Sequence, residues 1–216
     1  MAVTYLHAVV GPECPTHTIA RDIIVVMAKT SGSKSRKARV LSSRIAYQGP
    51  LFSVTTDDVE EPDGVRTRRD VIRHSGSIVV LPITGSARDP QILLERQYRH
   101  AAGQMMWELC AGRIDDGEKA LPAAKRELLE ETGYTARRWK KILHFYVSPG
   151  FLDETMTIFL AEDLKAGIAQ PEEDERILTK FFPLSEVLRM VNAGSIRDGK
   201  TIAGVLWLAQ QGRKTR

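Results

Sequence analysis

Gly112-Arg-Ile-Asp-Asp-Gly-Glu118, then Lys-Ala-Leu-Pro-Ala-Ala-Lys, then Arg126-Glu-Leu-Leu-Glu-Glu-Thr-Gly-Tyr134 is the stretch on which the fold turns. It predicts a loop running into a short helix. Pro122 suits the first helical turn, where a missing N–H leaves nothing unbonded, and Gly133 stands where a helix ends in a left-handed residue. Leu121, Ala124 and Leu128 recur at three- and four-residue spacing and give one apolar stripe to face a core. Glu127, Glu130 and Glu131 crowd a single patch of the same helix. Like charges at that spacing repel. Such a patch either faces solvent, with Arg126 and Glu130 paired one turn apart, or gathers oxygens around hard divalent cations.

The flanking residues weigh on that choice. Gly112, Glu118, Arg126, Glu127, Glu130, Glu131 and Gly133 are specified at fixed separations. At residue frequencies of about 6–7% such a set arises by chance about once in 10⁶ chains of this length. The arrangement resembles the Nudix box, complete at its Gly, Glu and Arg positions, with Tyr134 where the pattern prefers an aliphatic. The resemblance implies a fold of the α+β class: an α/β/α sandwich with a mixed central sheet and an N-terminal antiparallel strand meander. It also implies hydrolysis of a diphosphate that depends on Mg²⁺, with Mn²⁺ able to substitute. Carried over position by position, it makes Glu127, Glu131 and the carbonyl of Ala111 metal ligands. Arg126 and Glu130 orient the helix at the catalytic centre, and Glu118 stabilises the loop.

Three further stretches narrow the branch. Glu173-Asp174-Glu175 lies about 40 residues beyond the helix. An acidic loop is ordinarily just solvated, but a water attacking phosphorus needs a carboxylate to orient or deprotonate it. Pro149 falls sixteen residues past Gly133, within Ser148-Pro-Gly-Phe-Leu-Asp-Glu154. Glu95-Arg-Gln-Tyr-Arg99 precedes the box, and Arg68-Arg-Asp-Val-Ile-Arg-His74 lies further upstream. Together these are most similar to the ADP-ribose pyrophosphatase branch. That likeness implies Glu173 as general base, with Glu172 in reserve, and Glu175 as a further metal ligand. Arg99, Arg69 and Pro149 become substrate-binding residues, and the N-terminal strands pair a homodimer. The branch usually has Leu-Pro-Ala-Gly entering the box, whereas this chain has Leu109-Cys110-Ala111-Gly112. Cys110 reads as a packed thiol, since no His/Asp partnership marks it as a nucleophile.

Composition bounds the rest. The chain has 216 residues, 43% of them apolar and 27% charged, as in an ordinary globular protein. Its net charge of +4 comes entirely from residues 1–40, which carry six Lys/Arg against two Asp/Glu; beyond them each sign counts 25. The domain itself is neutral, which argues against nucleic acid as a partner. No apolar run approaches the roughly 18 residues of a membrane span. Cys14 and Cys110 lack metal-ligand spacing and read as free thiols of a reducing cytoplasm. Residues 1–40 are expected to form a basic, flexible extension and residues 41–212 the domain. The change of character at Met27 suggests a start there, with the first 26 residues a mis-called extension.

In chain order, strands are expected at 44–47, 51–59, 67–74, 78–83, 92–98, 106–109, 139–147, 155–161 and 177–182. Helices are expected at 186–191, capped by Ser185, and at 200–211, with Ile202, Val205, Leu206 and Leu208 on its apolar side. The function expected is cleavage of ADP-ribose to AMP and ribose 5-phosphate. GDP-mannose or a UDP-sugar as substrate, or a catalytically silent nucleotide sensor, are the alternatives.

Overall fold

A computed structural model of the chain describes residues 37–170 and 176–211. The Met27 start, Cys14, most of the basic extension and the acidic loop holding Glu172, Glu173 and Glu175 lie outside the described residues.

Strands β1 (Arg39–Gln48), β2 (Ser53–Glu60) and β3 (Arg66–Arg73) form an antiparallel three-stranded sheet. β1 starts at Arg39, inside the stretch whose basic composition reads as linker. Its charges find partners across the sheet, as in Arg39 with Glu60 at 3.4 Å. The larger sheet contains β4 (Ser77–Thr84), β5 (Gln91–Arg99), β6 (Gln104–Glu108), β7 (Ala111–Arg113), β8 (Tyr134–Tyr146), β9 (Thr155–Ala166) and β10 (Leu178–Pro183). Its order is β10-β5-β4-β9-β8, with β6 on β5 and β7 on β4. β4 and β9 run parallel and the other pairs antiparallel, so the sheet is mixed.

The sheet splits where the site will form. β4 and β5 pair only at Ile83–Ile92 and Thr84–Gln91 and then diverge. The chain from β6 to β7 fills the opening, and the N–H of Val80 donates to the carbonyl of Cys110 at 2.9 Å. The loop entering the box is thereby held by strand ladders.

Alternation along β4 sends side chains to both faces. Ile78 and Val80 join Ala123, Ala124 and Leu128 of helix α1 (Ala120–Thr132). Val79 and Leu81 join Val187 of α2 (Leu184–Asn192) and Val205 of α3 (Gly199–Gln211). Helices on both faces of a mixed sheet make the α/β/α sandwich. Burying a side chain such as Leu128 contributes about 1.5–3 kcal/mol, so the stripe fixes which face of α1 turns outward. Gly133 ends the helix at φ 73°, and β8 begins at the next residue, earlier than its apolar pattern shows.

Two local expectations are corrected. α2 begins at Leu184, so Ser185 lies inside its first turn. The cap comes from Asp89, whose carboxylate accepts from the Ser185 N–H (2.9 Å) and hydroxyl (2.8 Å). Leu206 is exposed; Lys200, Thr201, Gly204, Val205 and Leu208 form the buried face of α3. No helix among the described residues is long and apolar enough to cross a membrane.

Candidate active site

Arg126 is the hub of the box. Its Nη2 donates to Glu118 Oε2 at 2.9 Å and Nε to Glu118 Oε1 at 3.3 Å. Nη1 donates to Glu127 Oε1 at 2.8 Å and Glu130 Oε2 at 3.1 Å, and Nη2 also reaches the carbonyl of Arg113 at 3.3 Å. One guanidinium thus ties the helix to its preceding loop and offsets the repulsion among its carboxylates. These bonds, first those to Glu118, raise the Arg126 pKa, and the same contact holds the Glu118 carboxyl below its ordinary value. Glu118 also accepts from the N–H of Asp115 (3.3 Å), so it closes the loop onto the helix.

The three box carboxylates differ in setting. Glu130 is 43% exposed, Glu127 is 14% exposed, and Glu131 is buried. The Glu127 carboxylate lies against the backbone of Gly112, where a Cβ would sit 2.0 Å from its carboxyl carbon. Only glycine leaves that space. Glu131 meets Glu95 of β5 and the thiol of Cys110, one ligand atom of each lying within 4.8 Å of the others. Ala111 stands between Cys110, whose thiol Glu131 approaches, and Gly112, which the Glu127 carboxylate lies against. A glycine cradle for one carboxylate and a buried partner for another, all oxygen donors on one short helix, fit the hard-ligand preference of a divalent cation.

A family model described as NUDIX domain matches residues 73–203. Over 177 residues the chain is 33% identical to an ADP-ribose pyrophosphatase of Bacillus subtilis (strain 168), covering 81% of this chain and 94% of that one. The chain belongs to the Nudix family. It is also 34% identical over 160 residues to a GDP-mannose pyrophosphatase of Shigella flexneri serotype 5b (strain 8401), covering 68% of this chain and 81% of that one. A crystal structure of an ADP compounds hydrolase shares the fold, with a TM-score of 0.72 at 21% identity, over 85% of this chain and 98% of that one.

Around the Nudix helix, the structure brings Arg126, Glu127, Glu130, Glu131 and Ala111 together. Arg99 ends β5, where its Nε and Nη2 donate to the two oxygens of Glu108 at 2.8 and 3.1 Å. Arg69 belongs to the three-stranded sheet, paired with Glu61 at 2.9 Å. Pro149 is exposed in the turn after β8. That turn is bound to β3: the N–H of Ile72 donates to the Phe151 carbonyl (2.8 Å) and that of Asp153 to the Ile72 carbonyl (3.1 Å). Gln170, the last described residue before the acidic loop, donates its N–H to the Glu130 carbonyl at 2.8 Å.

The sequence reading missed Glu95, Glu108, Lys200 and Asp198. Glu95 and Glu108 oppose each other across β5 and β6, each 1% exposed. Lys200 of α3 contacts Glu108 and pairs with Asp198 at 3.1 Å. Burial works against the Lys200 charge, but Asp198 and Glu108 outweigh it and hold its pKa up. Thr201 beside it accepts from the Leu109 N–H at 2.8 Å. Burial, and then the charge of Glu131, push the Glu95 carboxyl well above its ordinary range. The available signal was a Glu closing the apolar run Ile92-Leu93-Leu94, and a Lys sharing a four-residue spacing with Gly204 and Leu208.

Proposed function

We propose that this chain hydrolyses the diphosphate linkage of nucleoside diphosphate sugars, with ADP-ribose, giving AMP and ribose 5-phosphate, as the leading substrate. The observation that carries the reading is the gathering of Glu127, Glu130 and Glu131 under Arg126, with Gly112 leaving room for the Glu127 carboxylate. The names of the relatives support the substrate class; the GDP-mannose pyrophosphatase among them makes GDP-mannose the second candidate.

Glu127, Glu131, the carbonyl of Ala111 and Glu175 are the residues that would hold Mg²⁺. A divalent cation held by these residues would supply neutralisation of the diphosphate charge and activation of the attacking water. Glu173 serves as the base that accepts the proton of the attacking water. In support, the acidic loop follows directly on a residue bonded to the Glu130 backbone. Arg126 keeps Glu127 and Glu130 aimed by binding both with one nitrogen. Arg99 spends two N–H groups on Glu108 and, 40% exposed, has donors left for a diphosphate oxygen. Pro149 and Arg69 complete the substrate contacts from the turn after β8 and from the three-stranded sheet.

We read that sheet as the face of a homodimer. Every residue of β1 is exposed, including Val40, Leu41, Ile45 and Tyr47. An open apolar strand of this kind invites pairing. Sedimentation equilibrium should give a dimer, and Ile45→Lys combined with Tyr47→Lys a monomer; a monomeric wild type removes this part of the reading.

The deciding experiment is product release from ADP-ribose, GDP-mannose and UDP-sugars, with and without Mg²⁺, in wild type and Glu131→Gln. Metal-dependent cleavage of ADP-ribose, at least about 10²-fold slower in the variant, is the result expected. Cleavage of another sugar nucleotide alone moves the substrate. Nucleotide binding with no cleavage of any would make the chain a sensor and overturn the catalytic assignments.

A further inference from the structure

Glu108 is buried at the end of β6, just ahead of the loop that enters the box, and two cations bind it. Its Oε1 accepts from Arg99 Nε at 2.8 Å, and its Oε2 accepts both from Arg99 Nη2 at 3.1 Å and from Lys200 Nζ. The two cations stand in different settings. The Arg99 side chain is 40% exposed, whereas that of Lys200 is 8% exposed and enclosed by protein. A buried ammonium is costly unless it is paired and hydrogen-bonded. Asp198 supplies the second partner, pairing with Lys200 at 3.1 Å while it accepts the Thr201 N–H at 3.0 Å and the Thr201 hydroxyl at 2.5 Å. Thr201 in turn accepts the Leu109 N–H at 2.8 Å. Successive residues of α3, Lys200 and Thr201, therefore grip successive residues of the chain, Glu108 and Leu109. One turn on, Gly204 gives Leu109 its space, since a Cβ there would lie 3.0 Å from Leu109 Cδ1.

We propose that Lys200 is a positioning residue for Arg99: through Glu108 it fixes the direction in which that guanidinium meets an anionic oxygen of the substrate. The inference rests on the reading of Arg99 as a diphosphate contact. Glu108 binds Arg99 with both carboxylate oxygens, so the plane of the carboxylate sets the plane of the guanidinium and leaves Nη1 for the substrate. Held by Arg99 alone, the carboxylate would turn with its partner and fix nothing. Lys200 ties it to the first turn of α3, whose own place is set by Asp198, Thr201 and the packing of Gly204 on Leu109. An arginine already fixed in its bound orientation loses less freedom when substrate arrives. Lys200 thus acts through Glu108 and not on the reacting atoms.

The Nε–H of Arg99 is the probe, followed by heteronuclear NMR of the full-length protein without substrate and assigned by its loss in Arg99→Met. Bonded to a fixed carboxylate, this proton should exchange slowly with water in the wild type and at least about tenfold faster in Lys200→Met. Steady-state kinetics on ADP-ribose give a second reading. Lys200→Met should raise KM about tenfold, as expected for a weakened charged hydrogen bond. It should change kcat by less than about threefold, because Thr201 still holds Leu109 and the box carboxylates are untouched. In the Arg99→Met background the same substitution should alter KM by no more than about threefold, whereas a role confined to stability would act alike in both backgrounds. Unchanged Nε–H exchange in a folded Lys200→Met, or equal KM ratios in the two backgrounds, would overturn the proposal. Should Lys200→Met fail to fold by circular dichroism, Asp198→Asn replaces it, since asparagine keeps an oxygen to cap α3 but withdraws the charge beside Lys200. It should move exchange and KM in the same direction, and no movement overturns the proposal. A wild type that cleaves no sugar nucleotide would sink the proposed function, and the exchange rates alone would then decide the link from Lys200 to Arg99.

Discussion

Gly112 and Arg126 show how single residues set the chemistry of the box. Arg126 collects Glu118, Glu127 and Glu130, and the Glu127 carboxylate is left leaning on the one residue without a side chain. A methyl group there would meet the mobile end of Glu127, not backbone, so the fold can yield where the geometry of the site cannot. Gly112→Ala is therefore expected to fold normally and to lower kcat/KM for ADP-ribose at least about 10²-fold, the cost of a displacement of about 1 Å at a reacting centre. Steady-state kinetics beside a thermal melt would check it, and full activity would mean that the Glu127 position is unimportant. The box carboxylates were legible in sequence because a helix fixes their spacing locally. Glu95, Glu108 and Lys200 were not, because they meet only through the register of β5 with β6 and the docking of α3, which no local pattern records.

At the scale of elements, α1 was readable at both ends and the strands less so. Proline and glycine act on their own backbone, so Pro122 and Gly133 announce the helix without help from the rest of the chain. The start of β1 at Arg39 depends on cross-strand partners, and the cap of α2 comes from Asp89, far away in sequence. The parting of β4 from β5 is likewise a long-range event. Gly133 carries a second constraint that sequence did not show: a Cβ there would lie 2.6 Å from the Ala169 nitrogen and 2.9 Å from the Ile168 carbonyl carbon. Those are backbone atoms of the segment leading to the acidic loop. Gly133→Ala combines a left-handed conformation costing about 1 kcal/mol with that clash. A loss of about 2–4 kcal/mol is expected, lowering Tm by about 5–12 °C. Activity should fall with it as the segment shifts. An unchanged melt would mean that residues 168 and 169 move aside freely.

The described residues form two sheets, and Arg73 at the end of β3 is bonded both within its own sheet and to the turn that follows β8 in the larger one. Its Nη1 reaches Asp153, in the turn after β8, at 3.2 Å, and its Nη2 reaches Asp57 of β2 at 2.5 Å. Asp57 in turn accepts from the Ser43 hydroxyl of β1 at 2.6 Å. One buried carboxylate therefore joins all three strands of the smaller sheet and, through Arg73, the larger one. The bond from Ser43, outweighing burial, and then the charge of Arg73 hold the Asp57 carboxyl below its ordinary 3.8. A folded-state pKa that is depressed contributes stability in full above the unfolded value and loses it as pH falls through the folded value. Asp57→Asn keeps the shape and removes the charge, so it should cost about 1–2 kcal/mol near neutral pH, discounted for the partly exposed Arg73. Urea unfolding of both proteins between pH 7 and pH 3 would show that gap constant down to about pH 5 and closing below the ordinary value. Other carboxylates titrate over the same range, but they do so in both proteins and cancel in the difference. A gap that persists undiminished at pH 3 would assign the stabilisation to packing. The sheets would then be held by the Ile72 backbone bonds to Phe151 and Asp153, with the ion pair only an accessory.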